Sequence, residues 1–119
     1  MKITIIGGGN IGGAIAGGLA ASTLMKASDL TVADPSAAAL ERIKGLNSAI
    51  RTSQDNAAAV EGADLIILAV KPWLAEEVSA TFRDKLNFDR QCLASVVAGV
   101  SFEKLKTMLD NGKDVRPAL

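Results

Sequence analysis

The sequence predicts an α/β fold in which a doubly wound parallel sheet carries helices on both faces. Short, nearly continuous apolar runs rich in β-branched residues alternate along the chain with longer amphipathic runs. Runs of the first kind are typical of strands that are buried on both faces. Their alternation with helices favours right-handed crossovers between parallel strands. No linker rich in Gly, Ser or Pro divides the 119 residues, so we expect a single domain.

Five strands and five helices follow from this pattern. The strands are predicted at Lys2–Ile6, Leu30–Ala33, Ile50–Thr52, Leu65–Val70 and Leu93–Ala98. The helices are predicted at Ile11–Leu24, Ala37–Leu46, Asn56–Glu61, Ala75–Lys85 and Phe102–Leu109. The pattern fails over Asp114–Leu119, because Pro117 cannot donate to the ladder of a central strand. We therefore expect a doubly wound sheet that is truncated at or before its last strand.

The composition argues against several classes of function. Thirteen Lys and Arg residues balance thirteen Asp and Glu residues, so no net field attracts nucleic acid or an anionic membrane. The absence of His removes imidazole-based metal sites and Ser-His triads, and we expect no metal. A single Cys forms no internal disulfide, which favours a reducing compartment. Without a long apolar stretch or a signal-like start, we expect a soluble, cytoplasmic domain.

A glycine-rich turn follows the first predicted strand directly and opens a helical pattern. Its residues fit the G-x-G-x-x-G spacing: Gly7, Gly8, Gly9, Asn10, Ile11 and Gly12. In this motif the first glycine permits the turn, the second lets a pyrophosphate approach the backbone, and the third lets the helix pack closely. The helix N-terminus offers free N–H groups to the phosphates. The motif predicts a Rossmann-type dinucleotide-binding domain over residues 1–119; a turn that only connects strand and helix is the alternative.

Asp34 ends the second predicted strand, 22 residues after Gly12. A dinucleotide-binding domain places a carboxylate here to accept hydrogen bonds from the adenosine ribose. Its charge repels a 2′-phosphate and no Arg follows directly, which favours NAD(H) over NADP(H). The alternative is that Asp34 only caps the next helix. Ser36 is a small donor beside the same ribose, and Arg42 lies further along, so tolerance of a phosphate stays open.

The other candidates follow later strands, because ligands of open α/β sheets bind beyond the carboxyl ends of the strands. They are Asn56, Ala69, Val70, Lys71, Pro72, Ala98 and Gly99. For Asn56 the alternative is a helix cap shared with Asp55, and for Lys71 it is a solvated side chain. Trp73 is interpreted as covering the core near a helix start, with stacking on a ligand as the alternative. Cys92 is interpreted as an inert buried residue, and Phe102 as part of the core.

Taken together, these segments resemble pyrroline-5-carboxylate reductase. The resemblance rests on the glycine turn, on Asn56 before a helix, on Ala63–Pro72 and on Ala98–Ser101. It runs along essentially the whole chain but covers only the N-terminal cofactor-binding domain of that family. It implies that the glycine turn, Asn56, Ala69–Pro72 and the segment after the fifth strand contact NADP(H) or NAD(H). Trp73 departs from the Gln frequent in the family, and Asp34 departs from the small polar or basic residue of members that prefer NADPH.

The resemblance also implies a reaction, the reduction of 1-pyrroline-5-carboxylate to L-proline in proline biosynthesis. In that family a C-terminal helical domain binds the small-molecule substrate and forms the homo-oligomer. We therefore expect the 119-residue chain to bind dinucleotide without catalysing the reaction, and we assign no catalytic residue. Three alternatives stay open: the cofactor domain of another imine, keto or hydroxy-acid oxidoreductase, an S-adenosylmethionine methyltransferase, and a non-catalytic nucleotide-binding module.

Overall fold

In the computed structural model, which describes residues 1–23 and 25–110, five parallel strands form one sheet. The strands are β1 (Ile3–Ile6), β2 (Leu30–Ala33), β3 (Arg51–Ser53), β4 (Leu65–Leu68) and β5 (Cys92–Ser95). Their order in the sheet is β3-β2-β1-β4-β5. The chain builds outward from β1 in both directions, which confirms the predicted doubly wound parallel sheet. The segment at which we expect truncation, Asp114–Leu119, lies outside the described residues.

The central strand shows why the sequence forms this sheet. Every residue of β1 is buried, as its nearly continuous apolar run predicts. Ile5 pairs with Val32 of β2 on one side and with Ile67 of β4 on the other. The one polar residue of β1, Thr4, donates from Oγ1 to the Ala59 carbonyl oxygen over 2.7 Å. That bond satisfies a hydroxyl that would otherwise be buried without a partner.

The helices cover both faces of the sheet and define two apolar cores. The five α-helices are α1 (Asn10–Ala21), α2 (Ala37–Leu46), α3 (Asn56–Val60), α4 (Ala75–Ala80) and α5 (Phe102–Met108). Ala16 of α1 and Ile43 of α2 belong to one core, with Ile5 and Val32 of the sheet. The last three helices contribute to the other core. All five predicted helices are confirmed, with shifts of their ends.

The fourth helix is shorter than its sequence pattern predicts. We expected Ala75–Lys85, but α4 ends at Ala80 and a separate 3-10 turn forms over Arg83–Lys85. Phe82 lies between the two and is almost fully buried. A continued α-helix would place Phe82 on the same face as the buried Ala75, seven residues before it, so the ring keeps its place in the core although the α-helix ends at Ala80.

Two packing predictions are wrong. Cys92 is exposed rather than buried, because it begins β5, an edge strand of the sheet. Phe102, which we expected in the core, lies at the start of α5 with 39% of its surface exposed. Within the described part of the chain, no helix is long and apolar enough to span a membrane, and no cluster of three potential metal ligands occurs.

Candidate functional site

A cleft of about 420 Å³ opens at the carboxyl ends of the strands. Its walls come from the glycine turn, the end of β2, the start of α3, the segment that follows β4 and the loop that follows β5. Most of the predicted site residues line it: Gly7, Gly9, Asn10, Ile11, Asp34, Asn56, Ala69, Val70, Lys71, Pro72 and Ala98. The fold therefore brings residues from across the whole sequence to the switch point of the sheet, where ligands bind in this architecture.

Four predicted site residues stand outside the cleft wall. Gly8 is buried behind it, and its N–H bonds to Asp34. Gly12 packs under the glycine turn, and Ser36 caps α2 by accepting from the Ala39 N–H over 3.2 Å. Gly99 has a φ of +74° but does not line the cavity. For these four residues the structure indicates supporting or neighbouring positions.

Gly7 and Gly12 are required by the turn itself. Gly7 has a φ of +114°, and a Cβ built there would lie 2.4 Å from the Ala69 carbonyl oxygen. A Cβ on Gly12 would lie 1.8 Å from the carbonyl oxygen of Gly7. Both are clashes with backbone, which cannot move aside as a flexible side chain can. The two glycines let α1 begin directly against the end of β1.

Gly9 has no such constraint within the protein. A Cβ built on it meets nothing within 4 Å, although Gly9 lines the cleft. Gly9 is also the N-cap of α1, and no side chain caps that helix end. Asn10 and Ile11 begin the helix at the same cavity wall. The start of α1 thus combines open space with helix-end N–H groups, which is an arrangement suited to an anion.

Asp34 uses both carboxylate oxygens to organise this end of the sheet. Oδ2 accepts from the Gly8 N–H over 2.8 Å, and Oδ1 accepts from the Ser36 N–H over 2.8 Å. The N-cap of α2 is Ser36, so the alternative role for Asp34, capping of that helix, is wrong. Since each ionised oxygen can accept more than one hydrogen bond, Asp34 keeps capacity for ligand hydroxyls. Its side chain is partly exposed and lines the cleft.

Asn56 presents an unused acceptor. The cap of α3 is Asp55, whose Oδ1 accepts from the N–H groups of Ala57 and Ala58. The Asn56 side chain instead donates from Nδ2 to Thr81 Oγ1 over 3.0 Å. Its Oδ1 is buried and has no hydrogen-bond partner in the protein. A buried acceptor without a partner costs free energy, so the amide is poised for a donor such as a ribose hydroxyl.

The rim of the cleft is more apolar than the sequence predicts. Trp73 does not cover the core: 76% of its surface is exposed, and it lines the cleft. Ile11, Leu74 and Val96 are also exposed at the same cavity. Trp73 was assigned to the core and Leu74 was not singled out, because both belong to a 3-10 helix, Pro72–Leu74, that no periodic pattern marks. Leu74 and Val78 are four residues apart, a helical spacing that could have indicated one apolar wall of the cleft.

A second, smaller cavity of about 280 Å³ is lined by Lys2, Thr4, Arg51 and Gly62, among others. Its lining includes the first residues of β1 and β3, so it lies toward the amino ends of the strands. None of the predicted site residues lines it. The chemistry-bearing residues of this chain therefore converge on the larger cleft.

Comparisons with known proteins identify relatives of this chain. Residues 2–99 match the family model described as NADP oxidoreductase coenzyme F420-dependent. Pyrroline-5-carboxylate reductase of Pasteurella multocida is 35% identical over 96% of this chain and 42% of its own length. The structure of the Coxiella burnetii enzyme of that name superposes with a TM-score of 0.82 at 30% identity, covering 91% of this chain and 39% of that one.

A second solved structure bears on the ligand. Pyrroline carboxylate reductase of Plasmodium falciparum, with NADP bound, gives a TM-score of 0.77 at 27% identity and covers 92% of this chain and 38% of that one. The chain thus spans about two fifths of the length of the relatives it matches. The expected resemblance to the cofactor-binding part of these reductases is confirmed.

Proposed function

The chain belongs to the family of coenzyme F420-dependent NADP oxidoreductases, and we propose that it is the dinucleotide-binding part of a pyrroline-5-carboxylate reductase. The reaction is reduction of the ring imine of 1-pyrroline-5-carboxylate to L-proline, with NAD(P)H as reductant. The identity of about a third with curated reductases along nearly the whole chain supports this choice. The solved structure of pyrroline-5-carboxylate reductase from Coxiella burnetii, which has a closely similar fold, also supports it.

The observation that carries the proposal is the bare backbone at the start of α1. Gly9 faces the cleft with room for a ligand atom where any other residue would place a Cβ. Helix N–H groups lie beside it, and Asp34 stands at the end of the neighbouring strand. A diphosphate at Gly9 and a ribose at Asp34 would use both features. The unpartnered Oδ1 of Asn56 adds a third polar contact in the same cavity.

The remaining proposed contacts surround this centre. We assign Gly7, Gly8, Gly9, Asn10, Ile11, Gly12, Asp34, Ser36, Asn56, Ala69, Val70, Lys71, Pro72, Ala98 and Gly99 to coenzyme binding, either directly or by shaping the turn. When bound, the dihydronicotinamide supplies a hydride to the imine carbon. The chain's residues contribute binding and orientation, which in favourable cases lower a barrier by about 7–11 kcal/mol.

The choice between the two coenzymes depends on Asp34. Its carboxylate stands where a 2′-phosphate would meet negative charge, and the next residues are Pro35 and Ser36 rather than a cation. Two like charges 4 Å apart repel by roughly 1 kcal/mol in water and 4 kcal/mol at a partly buried site. We propose that the cleft accepts both NADP(H) and NAD(H) and binds NAD(H) more tightly.

The substrate site belongs to the remainder of the proposed enzyme. Relatives of the named activity are more than twice as long as this chain. We propose that a further domain supplies the substrate contacts and the homo-oligomer interface, and that the 119 residues alone bind coenzyme without turnover. A cytoplasmic location is part of the same proposal, because a single cysteine suits a reducing compartment.

Calorimetric titration of the protein with NADH, NADPH and S-adenosylmethionine tests this function. The proposal predicts saturable binding of both nicotinamide coenzymes, tighter for NADH, and no binding of S-adenosylmethionine. Binding of S-adenosylmethionine alone would favour a methyltransferase, and binding of neither coenzyme would refute the assignment. Oxidation of NADH that depends on pyrroline-5-carboxylate would show that the chain is catalytic without a further domain.

A further inference from the structure

The only tryptophan of the chain stands at the mouth of the cleft. The sequence contains one Trp, three Phe and no Tyr. Phe82 and Phe88 are buried in the core, whereas Trp73 leaves 76% of its surface in solvent. Exposing an indole forgoes the free energy of burying a large apolar surface. Trp73 does not support the fold by burial, and its position in the cavity wall indicates a ligand contact instead.

The local backbone fixes the position from which the Trp73 side chain extends. Trp73 is the middle residue of the 3-10 helix Pro72–Leu74, and the Leu74 N–H donates to the Lys71 carbonyl oxygen over 2.9 Å. Pro72 fixes one backbone dihedral directly before the indole. Two side-chain torsions then remain to be ordered when a ligand binds. A preformed platform of this kind loses little conformational entropy on binding.

The neighbours of Trp73 indicate which end of a dinucleotide it meets. Helix α4 follows the 3-10 helix, and the residue after its end, Thr81, bonds to Asn56 at the start of α3. The end of α4 therefore lies beside the start of α3, the helix that follows β3. Val78 of α4 lines the same cavity as Pro35, the residue after Asp34. Trp73 thus shares the wall of one cavity with Asp34 and Pro35, at the end of β2 where we propose the adenosine ribose.

We propose that the Trp73 indole stacks on the adenine ring of the bound dinucleotide. The inference rests on the proposed function and adds a residue that departs from the Gln frequent in the resembled family. A purine offers a flat apolar face, and base–aromatic stacking is among the stronger sequence-tolerant contacts to nucleotides. Because both coenzymes carry the same adenine, Trp73 strengthens binding of NADH and NADPH equally and leaves their ratio to Asp34.

The test compares Trp73→Ala and Trp73→Phe with the unchanged protein. Each is titrated with NADH, with ADP-ribose, which has adenine but no nicotinamide, and with nicotinamide mononucleotide, which has no adenine. Phe102→Ala serves as the matched control, since Phe102 is an exposed aromatic residue that does not line the cleft. The indole N–H signal of the sole tryptophan, followed by NMR, reports stacking directly.

Trp73→Ala should weaken NADH and ADP-ribose by about 5- to 100-fold, the range for loss of one base–aromatic stack, with an unchanged melting temperature. Trp73→Phe should restore most of the affinity, and nicotinamide mononucleotide should bind all variants alike. Unchanged ADP-ribose affinity in Trp73→Ala, or weakening confined to the mononucleotide, would overturn the inference while the proposed function stands. If the unchanged protein binds no dinucleotide, the function and the inference fail together.

Discussion

Oδ2 of Asp34 accepts a hydrogen bond from the Gly8 N–H over 2.8 Å, across 26 residues of sequence. The bond ties the glycine turn after β1 to the end of β2. The same carboxylate holds the Ser36 N–H with its other oxygen. One side chain therefore shapes the loop proposed to hold the diphosphate and sets the charge that meets the ribose. Coenzyme preference and loop geometry are coupled through this residue.

Replacement Asp34→Asn should raise the NADPH-to-NADH affinity ratio by about tenfold or more. The variant removes the negative charge that opposes a 2′-phosphate but keeps the size of the side chain. The amide keeps one of the two acceptor oxygens, so we also expect a loss of about 1 kcal/mol in the free energy of unfolding. Calorimetry with both coenzymes and chemical denaturation measure the two effects.

Asp84→Asn is the matched control for that prediction. Asp84 is exposed in the 3-10 turn Arg83–Lys85 and does not line the cleft. Asp84→Asn removes one negative charge, as Asp34→Asn does, so the comparison separates an effect of charge at the cleft from an effect of net charge. An equal change of the ratio in both variants, or none in either, would rule out Asp34 as the selective group.

The replacement Gly12→Ala should destabilise the fold by about 2–3 kcal/mol or prevent folding. The new Cβ would meet the Gly7 carbonyl oxygen, and relief requires a shift of backbone at the turn. Gly18→Ala lies in the same helix and meets nothing within 4 Å. That control should gain about 0.5–1 kcal/mol, because Ala favours the helix over Gly. Equal melting temperatures for the two variants would show that α1 does not press against the turn.

Asn56→Ala should weaken NADH binding by about 5- to 10-fold while leaving the free energy of unfolding within about 1 kcal/mol. The substitution removes one hydrogen bond to the ligand, and it also removes a buried acceptor that has no partner in the free protein. In the free protein the lost Asn56–Thr81 hydrogen bond opposes the relief of the unpartnered acceptor, so stability changes little, whereas the complex also loses its bond to the ligand. Thr81→Val removes the hydroxyl that accepts from Asn56 and donates to the Val78 carbonyl oxygen but keeps the Asn56 amide, so it should have the smaller effect on affinity. A larger effect from Thr81→Val would indicate that Asn56 acts by packing alone.

The architecture was predictable because its signals are local. Runs such as Ile3–Ile6 and Leu65–Leu68 are too uniformly apolar for amphipathic helices, and the turn between β1 and α1 has a steric signature in Gly7 and Gly12. The ends of helices were less predictable. Ala75 and Phe82 are both buried, as one continuous helix would also place them, so the apolar pattern does not mark the break after Ala80.

The errors at the site have a similar cause. An apolar residue such as Trp73 is expected inside unless the sequence marks a reason for exposure, and the 3-10 helix that presents it leaves no periodic pattern. For Asn56 the sequence left a ligand contact and a helix cap shared with Asp55 both open. The structure caps α3 with Asp55 and bonds Asn56 to Thr81, a contact that the local sequence does not show. The sequence of one segment alone does not predict its contacts with a distant segment.

The affinity of Gly9→Ala for NADH, measured by calorimetry, tests the central claim most directly. The added methyl group meets no protein atom within 4 Å, so it should not lower the melting temperature, and the control Gly45→Ala in α2 should raise it slightly because Ala favours a helix over Gly. If a diphosphate lies against this backbone, Gly9→Ala should bind NADH at least tenfold more weakly than the control. Equal affinity of the two variants would contradict the account.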